Sequence, residues 1–202
     1  MAHRVCPWWM GWILANPLRR LLQDPAAIIA PHVRAGMIVL EPGPGVGYFT
    51  LELARAVGPS GRVVAVDVQP RMLSGLRRRA ERAGLAGRIE ARLVPAEGLG
   101  VDDLSGKVDL VFAFAVVHEV PDQARFFADV ARVLSPGGRV LLAEPAGHVG
   151  ADAFEATLRT AERAGLSREA APRVARSRTT VLTAAAATGV PPEQEGPRTS
   201  GA

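Results

Sequence analysis

The feature that most constrains the fold of this chain is an alternation, from residue 37 onward, of short apolar runs with helical patterns of about 10–15 residues. Val63–Val66 and Val140–Ala143 are continuously apolar, as expected for strands that helices cover on both faces. This alternation is typical of βαβ units, which build a parallel sheet. The five strand candidates are Met37–Glu41, Arg62–Asp67, Arg88–Val94, Val108–Phe114 and Arg139–Glu144.

The segments between these strands place apolar side chains three or four positions apart, which gives a helix one buried face. Pro121 and the sequence Ser135-Pro136-Gly137-Gly138 mark the two ends of one such helix. The chain from Arg173 to Val181 alternates weakly and is predicted to form two short strands. We therefore expect a doubly wound, Rossmann-like α/β fold with about seven mostly parallel strands and helices on both faces. The helix candidates are Gly47–Val57, Pro70–Gly84 (with Leu73, Leu76, Ala80 and Ala83 facing inward), Pro121–Leu134 and Asp152–Ala164.

This pattern divides the 202 residues into three parts. Residues 1–35 precede the first strand and are predicted to form one or two helices, which we interpret as a helical lid. Residues 36–183 form the predicted domain, and a chain of this length can bury a substantial core. Residues 184–202 are mostly Ala, Gly, Pro and polar residues, which predicts a flexible tail.

The composition excludes several kinds of site. Cys6 is the only cysteine, which excludes an internal disulfide framework and a zinc site built on several cysteines. The four histidines are too widely spaced for a local ligand cluster, so no metal site is predicted. A reducing, cytoplasmic setting is the default for such a chain. No apolar run reaches the roughly 18–20 residues that a membrane-spanning helix needs.

The positive charge is the one compositional feature that could indicate a nucleic acid partner. The formal net charge is +4 and the isoelectric point is about 10.4. Arginines cluster between Arg77 and Arg82 and between Arg168 and Arg178, but no aromatic residues are interleaved with them for base stacking. A basic helix face is usually just solvated, so we expect a small-molecule substrate rather than a nucleic acid.

A glycine-rich loop joins the first predicted strand to the following helix, and an acidic residue ends the next strand. Glu41 ends the first strand, glycines stand at 43, 45 and 47, and Asp67 follows the last of them by twenty positions. Glycines allow a sharp turn and close approach of a ligand to the backbone, while the helix start offers N–H donors. A carboxylate such as Asp67 can accept hydrogen bonds from both hydroxyls of a ribose. The arrangement indicates an adenosine-containing ligand at the carboxyl edge of the sheet.

Two other nucleotide-binding motifs fit this loop less well. The dinucleotide fingerprint G-x-G-x-x-G requires a third glycine at the position of Tyr48, where a large ring would obstruct close packing of helix and strand. A phosphate-binding P-loop requires Gly-Lys-Ser/Thr, which does not follow here. A simple tight turn between strand and helix would not explain the acid at this spacing.

These residues resemble the class I S-adenosylmethionine-dependent methyltransferases, and among them the small-molecule type 11 subgroup that includes quinone and arsenite methyltransferases. Glu41-Pro42-Gly43-Pro44-Gly45-Val46-Gly47 is similar to the first motif of the family, Asp/Glu-x-Gly-x-Gly-x-Gly, and Val66-Asp67-Val68 is similar to the second. The resemblance continues through Val108–Phe114 and Val117–Asp122 and ends with Leu134–Glu144, so it covers residues 37–145 in order.

The resemblance implies S-adenosylmethionine as the cofactor and a role for each matching residue. Asp67 would hold the ribose, and Glu41 would lie near the ammonium of the methionine end. Phe114, with Ala115, would line the wall near the sulfonium. The residues that would wrap the methionine end are Glu41, Gly43, Pro44, Gly45 and Gly47.

The same resemblance implies an adenine site, in which the residue that contacts the adenine amino group is not assigned. Val68 and Met72 would sandwich the adenine, although Met72 could equally be an ordinary core residue of its helix. Many relatives supply an Asp to the adenine amino group from the loop after the third strand, followed by a small residue. Here Pro95 and Ala96 occupy that run, so either Glu97 takes over the contact or the contact is missing.

His118 is the candidate catalytic base, because it follows the fourth strand with Glu119 beside it. The alternative is a histidine that caps or orients the helix starting at Pro121. Trp8, Trp9 and Trp12 in the predicted lid could stack on a flat acceptor, or could form core and homodimer contacts. The expected activity is methyl transfer to a small, aromatic or quinone-like molecule. An RNA methyltransferase and a non-catalytic cofactor-binding protein are the alternatives, while a single cysteine excludes the arsenite branch.

Overall fold

The computed structural model describes residues 23–184, which contain seven strands, five α-helices and three short 3₁₀ turns. The strands are β1 Ile38–Pro42, β2 Arg62–Asp67, β3 Ile89–Leu93, β4 Val108–Phe114, β5 Leu134–Pro145, β6 Leu166–Ala170 and β7 Ser177–Ala184. The helices are α1 Pro25–Ile29, α2 Thr50–Ala56, α3 Pro70–Arg82, α4 Gln123–Val133 and α5 Ala151–Arg163. The 3₁₀ turns are Ala86–Arg88, Asp102–Leu104 and Val117–Glu119.

All seven strands belong to one sheet, in the order β3-β2-β1-β4-β5-β7-β6. Strands β1 to β5 are parallel, while β7 runs antiparallel to β5 and β6. The chain starts at the centre, builds outward through β2 and β3, and then returns to place β4 on the other side of β1. This reversal opens a crevice at the carboxyl ends of β1 and β4, which is where ligands bind in sheets of this class. The predicted fold class is confirmed.

Alternate residues of each strand pack against helices on opposite faces of the sheet. Val39 points to the face covered by α1, α2 and α3, where Leu53 of α2 is fully buried. Leu40, the next residue, points to the other face, where Phe127 of α4 and Phe154 of α5 join the same cluster. Burial of both faces explains why the central strands are continuously apolar in sequence.

The prediction of two final strands within Arg173–Val181 was wrong in position. Strand β6 begins at Leu166, directly after α5, and β7 extends to Ala184. Only Leu166 of β6 is buried, since β6 is an edge strand paired on one side, so its sequence lacks the apolar alternation that identifies a strand.

Several predicted element ends also shift. Helix α4 begins at Gln123 rather than Pro121, because the Asp122 side chain accepts a hydrogen bond from the N–H of Arg125 and acts as N-cap. Ala83, predicted to face inward, is exposed because α3 ends one residue before it. The segment 135–138, predicted as a turn, lies within the longer strand β5.

Part of the predicted lid lies within the described residues and covers the sheet. Helix α1 is capped by Asp24, and its Ile29 is buried in the cluster that α2 also joins. Residues 1–22, with the three tryptophans, and 185–202 of the predicted tail lie outside the described residues. Across residues 23–184, the helices are too short or too polar to span a membrane.

Candidate active site

The loop between β1 and α2 borders a cavity of about 260 Å³ at the carboxyl edge of the sheet, the glycine-loop cavity. Its walls come from this loop, the ends of β2 and β4, the turn Val117–Glu119 and the loop after β5. Gly45 and Gly47 have φ angles of +55° and +87°, which side chains other than glycine rarely adopt. A Cβ at Gly45 would meet nothing within 4 Å, whereas one at Gly47 would lie 2.5 Å from Leu76 Cδ1. Gly45 therefore keeps the cavity wall open, while Gly47 lets α3 pack against the loop.

Glu41 of β1 is buried in the wall of this cavity, with 3% of its surface exposed. Its Oε2 atom has no hydrogen-bond partner among residues 23–184. Burial raises the pKa of Glu41 to about 8; the nearby Thr50 hydroxyl acts in the opposite direction and the Asp67 charge adds to the rise. A buried carboxyl with an unpaired oxygen at a cavity wall is suited to bind a cationic group such as an ammonium.

Asp67 at the end of β2 is also buried, and its carboxylate is fixed by backbone donors. The N–H of Gln69 donates to Oδ1 at 2.8 Å. Burial raises the pKa of Asp67 to about 6, against the backbone hydrogen bonds from Gln69, Gly45 and Val68, and the charge of Glu119 contributes to the rise. Asp67 also lines the glycine-loop cavity, so its carboxylate can accept hydrogen bonds from ligand hydroxyls there.

A second cavity of about 130 Å³, the β3-side cavity, adjoins the first and is lined mainly by apolar atoms. It lies between the loop after β3 and the start of α4. Val68 is 40% exposed at its wall, so its apolar side chain is accessible from the cavity. Glu97 lies in the same wall, next to Ala96. An apolar slot with carboxylates in its lining, Glu97 among them, is suited to a flat heteroaromatic ring that carries a donor group.

The structure brings most of the predicted site residues together around these two cavities, and Asp67 belongs to both. Gly47 lines neither cavity, for the packing reason given above. Met72 and Val68, predicted as a pair around adenine, line different cavities. The glycine-loop cavity gathers Glu41, Gly43, Pro44, Gly45, Asp67, Met72, Phe114 and His118, and the β3-side cavity gathers Gly43, Asp67, Val68, Ala96 and Glu97.

His118 lies in the 3₁₀ turn after β4, at the wall of the glycine-loop cavity, and contacts a buried carboxylate. Its Nδ1 atom is 2.5 Å from Oε2 of Glu144 in β5. Oε1 of Glu144 accepts hydrogen bonds from the N–H groups of Val117, at 2.7 Å, and His118, at 3.3 Å. The hydrogen bond to Glu144 and the charges of Glu144 and Glu119 raise the pKa of His118, although desolvation opposes them.

His118 does not cap the helix that follows it, because Asp122 is the N-cap of α4. Glu144 is a site residue that the sequence did not predict. The only signal there is its position: it follows the apolar run Val140–Ala143, so it ends a strand at the same edge as Glu41 and Asp67.

Aromatic rings form one wall of the glycine-loop cavity. Phe49 and Phe114 lie with ring centroids 4.4 Å apart, and Tyr48 meets Phe49 edge-on at 5.1 Å. The Tyr48 hydroxyl donates a hydrogen bond to the carbonyl of Gln23 at 2.8 Å, which fixes the ring. This wall is suited to a flat apolar group.

Similarity to known proteins identifies the family of this chain. A family model described as a methyltransferase domain matches residues 34–179. The chain belongs to the class I S-adenosylmethionine-dependent methyltransferases. A solved S-adenosylmethionine-dependent methyltransferase from Aquifex aeolicus shares the fold, with a TM-score of 0.78 and 23% identity over 88% of this chain and 98% of that one. The resemblance to the type 11 subgroup is confirmed.

Two curated relatives of this methyltransferase are similar over its central part. The arsenite methyltransferase of Halobacterium salinarum is 38% identical over 109 residues, which is 54% of this chain and 27% of the relative. The ubiquinone/menaquinone biosynthesis C-methyltransferase UbiE of Pasteurella multocida is 35% identical over 112 residues, 55% of this chain and 41% of the relative. The methyltransferase thus spans less than half the length of these relatives.

The residues present fit S-adenosylmethionine, the cofactor of the family. The unpaired Oε2 of Glu41 matches an ammonium, and Asp67 has acceptor capacity for ribose hydroxyls. The open space at Gly45 lets a ligand contact the backbone, and the apolar β3-side cavity matches an adenine. The site therefore provides complementary groups for the ammonium, the ribose and the adenine of this cofactor.

Proposed function

We propose that this methyltransferase transfers a methyl group from S-adenosylmethionine to a small-molecule acceptor. The observation that carries the proposal is the buried carboxyl of Glu41, whose unpaired oxygen lies in the wall of the same cavity as Asp67 and His118. When bound, the cofactor supplies a methyl carbon on a sulfonium, which a nucleophile displaces in line.

In this proposal each end of the cofactor is held by a different part of the sheet edge. Glu41 pairs with the ammonium and Asp67 with the ribose hydroxyls. Val68, Ala96 and Glu97 hold the adenine in the β3-side cavity, where Glu97 takes the place of the acid that Pro95 replaces. The backbone at the loop glycines and Pro44 lies against the methionine end.

The protein's own contribution to methyl transfer is alignment, exclusion of water and removal of a proton. Phe114 and its aromatic neighbours Tyr48 and Phe49 exclude water from one wall of the glycine-loop cavity. Holding the acceptor in line replaces a costly bimolecular encounter. His118, in the lining of the same cavity, is the base that accepts a proton from the acceptor.

A small aromatic or quinone-like molecule fits the acceptor part of the cavity best. The aromatic wall is suited to a flat ring, and the UbiE relative acts in quinone biosynthesis by its name. The arsenite-methylating relative offers a poorer guide, because soft thiolates are the ligands suited to arsenic and this chain has one cysteine.

The arginine clusters do not favour an RNA substrate. Arg168 binds the carboxylates of Glu155 and Glu162, so its charge is used within the protein. In the α3 cluster, Arg77 donates to the carbonyl of Ala91 and Arg79 to that of Val46. Guanidinium groups committed to internal acceptors are less available to phosphates.

Titration calorimetry with S-adenosylmethionine, its demethylated product and NAD tests the cofactor part of the proposal. We expect the first two to bind and NAD to give no binding heat; binding of NAD alone would contradict the proposal. Radiolabelled methyl transfer in fractionated cell extract then separates acceptor classes. Label in small molecules supports the proposal, whereas label retained in RNA would replace it with the RNA alternative.

A further inference from the structure

We infer that Glu144 is a positioning residue that holds His118 with Nδ1 as a hydrogen-bond donor and Nε2 as the proton acceptor, so that the methyl acceptor is a protic group, a phenolic or enolic hydroxyl. The inference rests on the proposed function and specifies its substrate class.

The contacts of Glu144 define the tautomer of the imidazole. Glu144 is 1% exposed, and its two oxygens accept hydrogen bonds from Val117 N–H, His118 N–H and His118 Nδ1. A carboxylate only accepts hydrogen bonds, so Nδ1 must carry the hydrogen. In the neutral ring Nε2 then has a free lone pair, which is the state a general base needs.

The same carboxylate also fixes where the ring stands. Because Oε1 of Glu144 binds the backbone of the turn and Oε2 binds the ring, both parts of His118 are tied to β5. The turn is held a second time by Gln123, whose Nε2 donates to the carbonyl of Val117 at 3.0 Å. This second contact does not involve the imidazole, which makes Gln123 a useful control position.

The charges around the ring explain why the acceptor needs a base. Glu119 Oε1 lies 3.8 Å from Nε2, beyond hydrogen-bond length, and Glu41, Asp67 and His148 line the same cavity. The described walls of this cavity include no lysine or arginine. Among the described walls, an acceptor anion would meet the carboxylate of Glu119 and no cationic side chain, so the sulfonium of the bound cofactor would be the positive charge next to it. The acceptor therefore enters as a neutral hydroxyl and is deprotonated during attack on the methyl carbon.

The step balances without a further reactant. The acceptor oxygen forms a bond to the methyl carbon as the carbon–sulfur bond breaks and its electron pair stays on sulfur. The hydroxyl proton moves to Nε2 of His118, which becomes an imidazolium beside Glu144 and Glu119. That proton is later released to solvent, so His118 returns to its starting state.

Nitrogen NMR of the full chain, labelled with ¹⁵N-histidine, tests the tautomer without any acceptor. Above the pKa of His118 we expect Nδ1 protonated and Nε2 unprotonated in the wild type. In Glu144→Gln the amide can still accept from the turn, but its NH₂ now donates to Nδ1, so the tautomer should invert and the pKa should fall. Gln123→Ala, which loosens the same turn, should keep the wild-type tautomer.

A wild-type ring with hydrogen on Nε2, or a tautomer unchanged in Glu144→Gln, would overturn the inference. If Glu144→Gln does not fold, the wild-type tautomer alone still decides it. Calorimetry should give the same affinity for the demethylated cofactor in the wild type, Glu144→Gln and Gln123→Ala. A wild-type protein that does not bind the demethylated cofactor would refute the proposed function without altering the tautomer result.

A matched acceptor panel tests the substrate class. With radiolabelled S-adenosylmethionine, we expect label in phenols and hydroquinones, and at least tenfold less in the corresponding anilines. The Glu144→Gln variant should lose most of the phenol methylation at every pH. Anilines labelled in preference to phenols would overturn the assignment of a hydroxyl acceptor.

Discussion

Replacing Glu41 with glutamine should show how much the buried carboxyl of the cofactor site lowers the free energy of unfolding. In the wild type the pKa of this buried carboxyl rises from 4.5 to about 8, chiefly because burial disfavours its charge. As pH rises from 4.5, the unfolded chain releases this proton but the folded chain keeps it. The stability of the ligand-free protein therefore falls as pH rises toward 8.

The size of this effect follows from the pKa difference. Each pH unit in the window costs about 1.4 kcal/mol, so Glu41 should lower the free energy of unfolding by about 3 kcal/mol at pH 7 relative to pH 4.5. The amide introduced by Glu41→Gln does not titrate, so the difference in stability between variant and wild type should grow by that amount over this range. A pH-independent offset from a buried, unpaired amide does not affect the slope.

Urea unfolding of both proteins at half-unit steps from pH 5 to 8 measures this slope. Glu81→Gln, exposed on α3, is the matched control and should follow the wild type. The same Glu41→Gln variant should bind the demethylated cofactor more weakly by about 1–3 kcal/mol, since it lacks the ion pair. Parallel pH curves for the Glu41→Gln and wild-type proteins would refute the account of a buried, ligand-seeking carboxyl.

Three further outcomes can be measured. Binding of the demethylated cofactor at pH 7 should release close to one proton from Glu41, so the calorimetric heat should depend on the ionisation enthalpy of the buffer. A heat that is the same in all buffers would contradict the cation-binding role of Glu41. Gly47→Ala should lower the free energy of unfolding by about 2 kcal/mol or more, because its Cβ would lie 2.5 Å from Leu76 Cδ1. Gly84→Ala, also at positive φ but in open space, should lower it by about 1 kcal/mol. Equal losses of stability in thermal unfolding would show that the contact with Leu76 relaxes. Asp67→Ala should weaken cofactor binding by about 1–3 kcal/mol, and unchanged affinity would mean that Asp67 does not bind the ribose.

Much of the architecture could be predicted because it depends on local pattern. The bounds of β2 and β4 matched the prediction residue for residue, since both strands are rich in apolar residues, as expected for strands buried on both faces. Strand β6 could not be located in the same way. It lies at the sheet edge and is held by pairing with β7, so its own side chains carry little signal.

The sequence by itself determined the order of strands and helices, the glycine loop and Asp67, and through them the family, because backbone freedom and apolar periodicity act over a few neighbouring residues. Only the tertiary structure decided that Gly47 serves packing, that Glu41 keeps an unpaired oxygen, and that Glu144 meets His118 across 26 positions of chain. These relations arise when parallel strands assemble and their carboxyl ends meet at one edge. Burial at that edge, which no single segment encodes, then raises the pKa values of Glu41 and Asp67, while the hydrogen bond to Glu144 raises the pKa of His118.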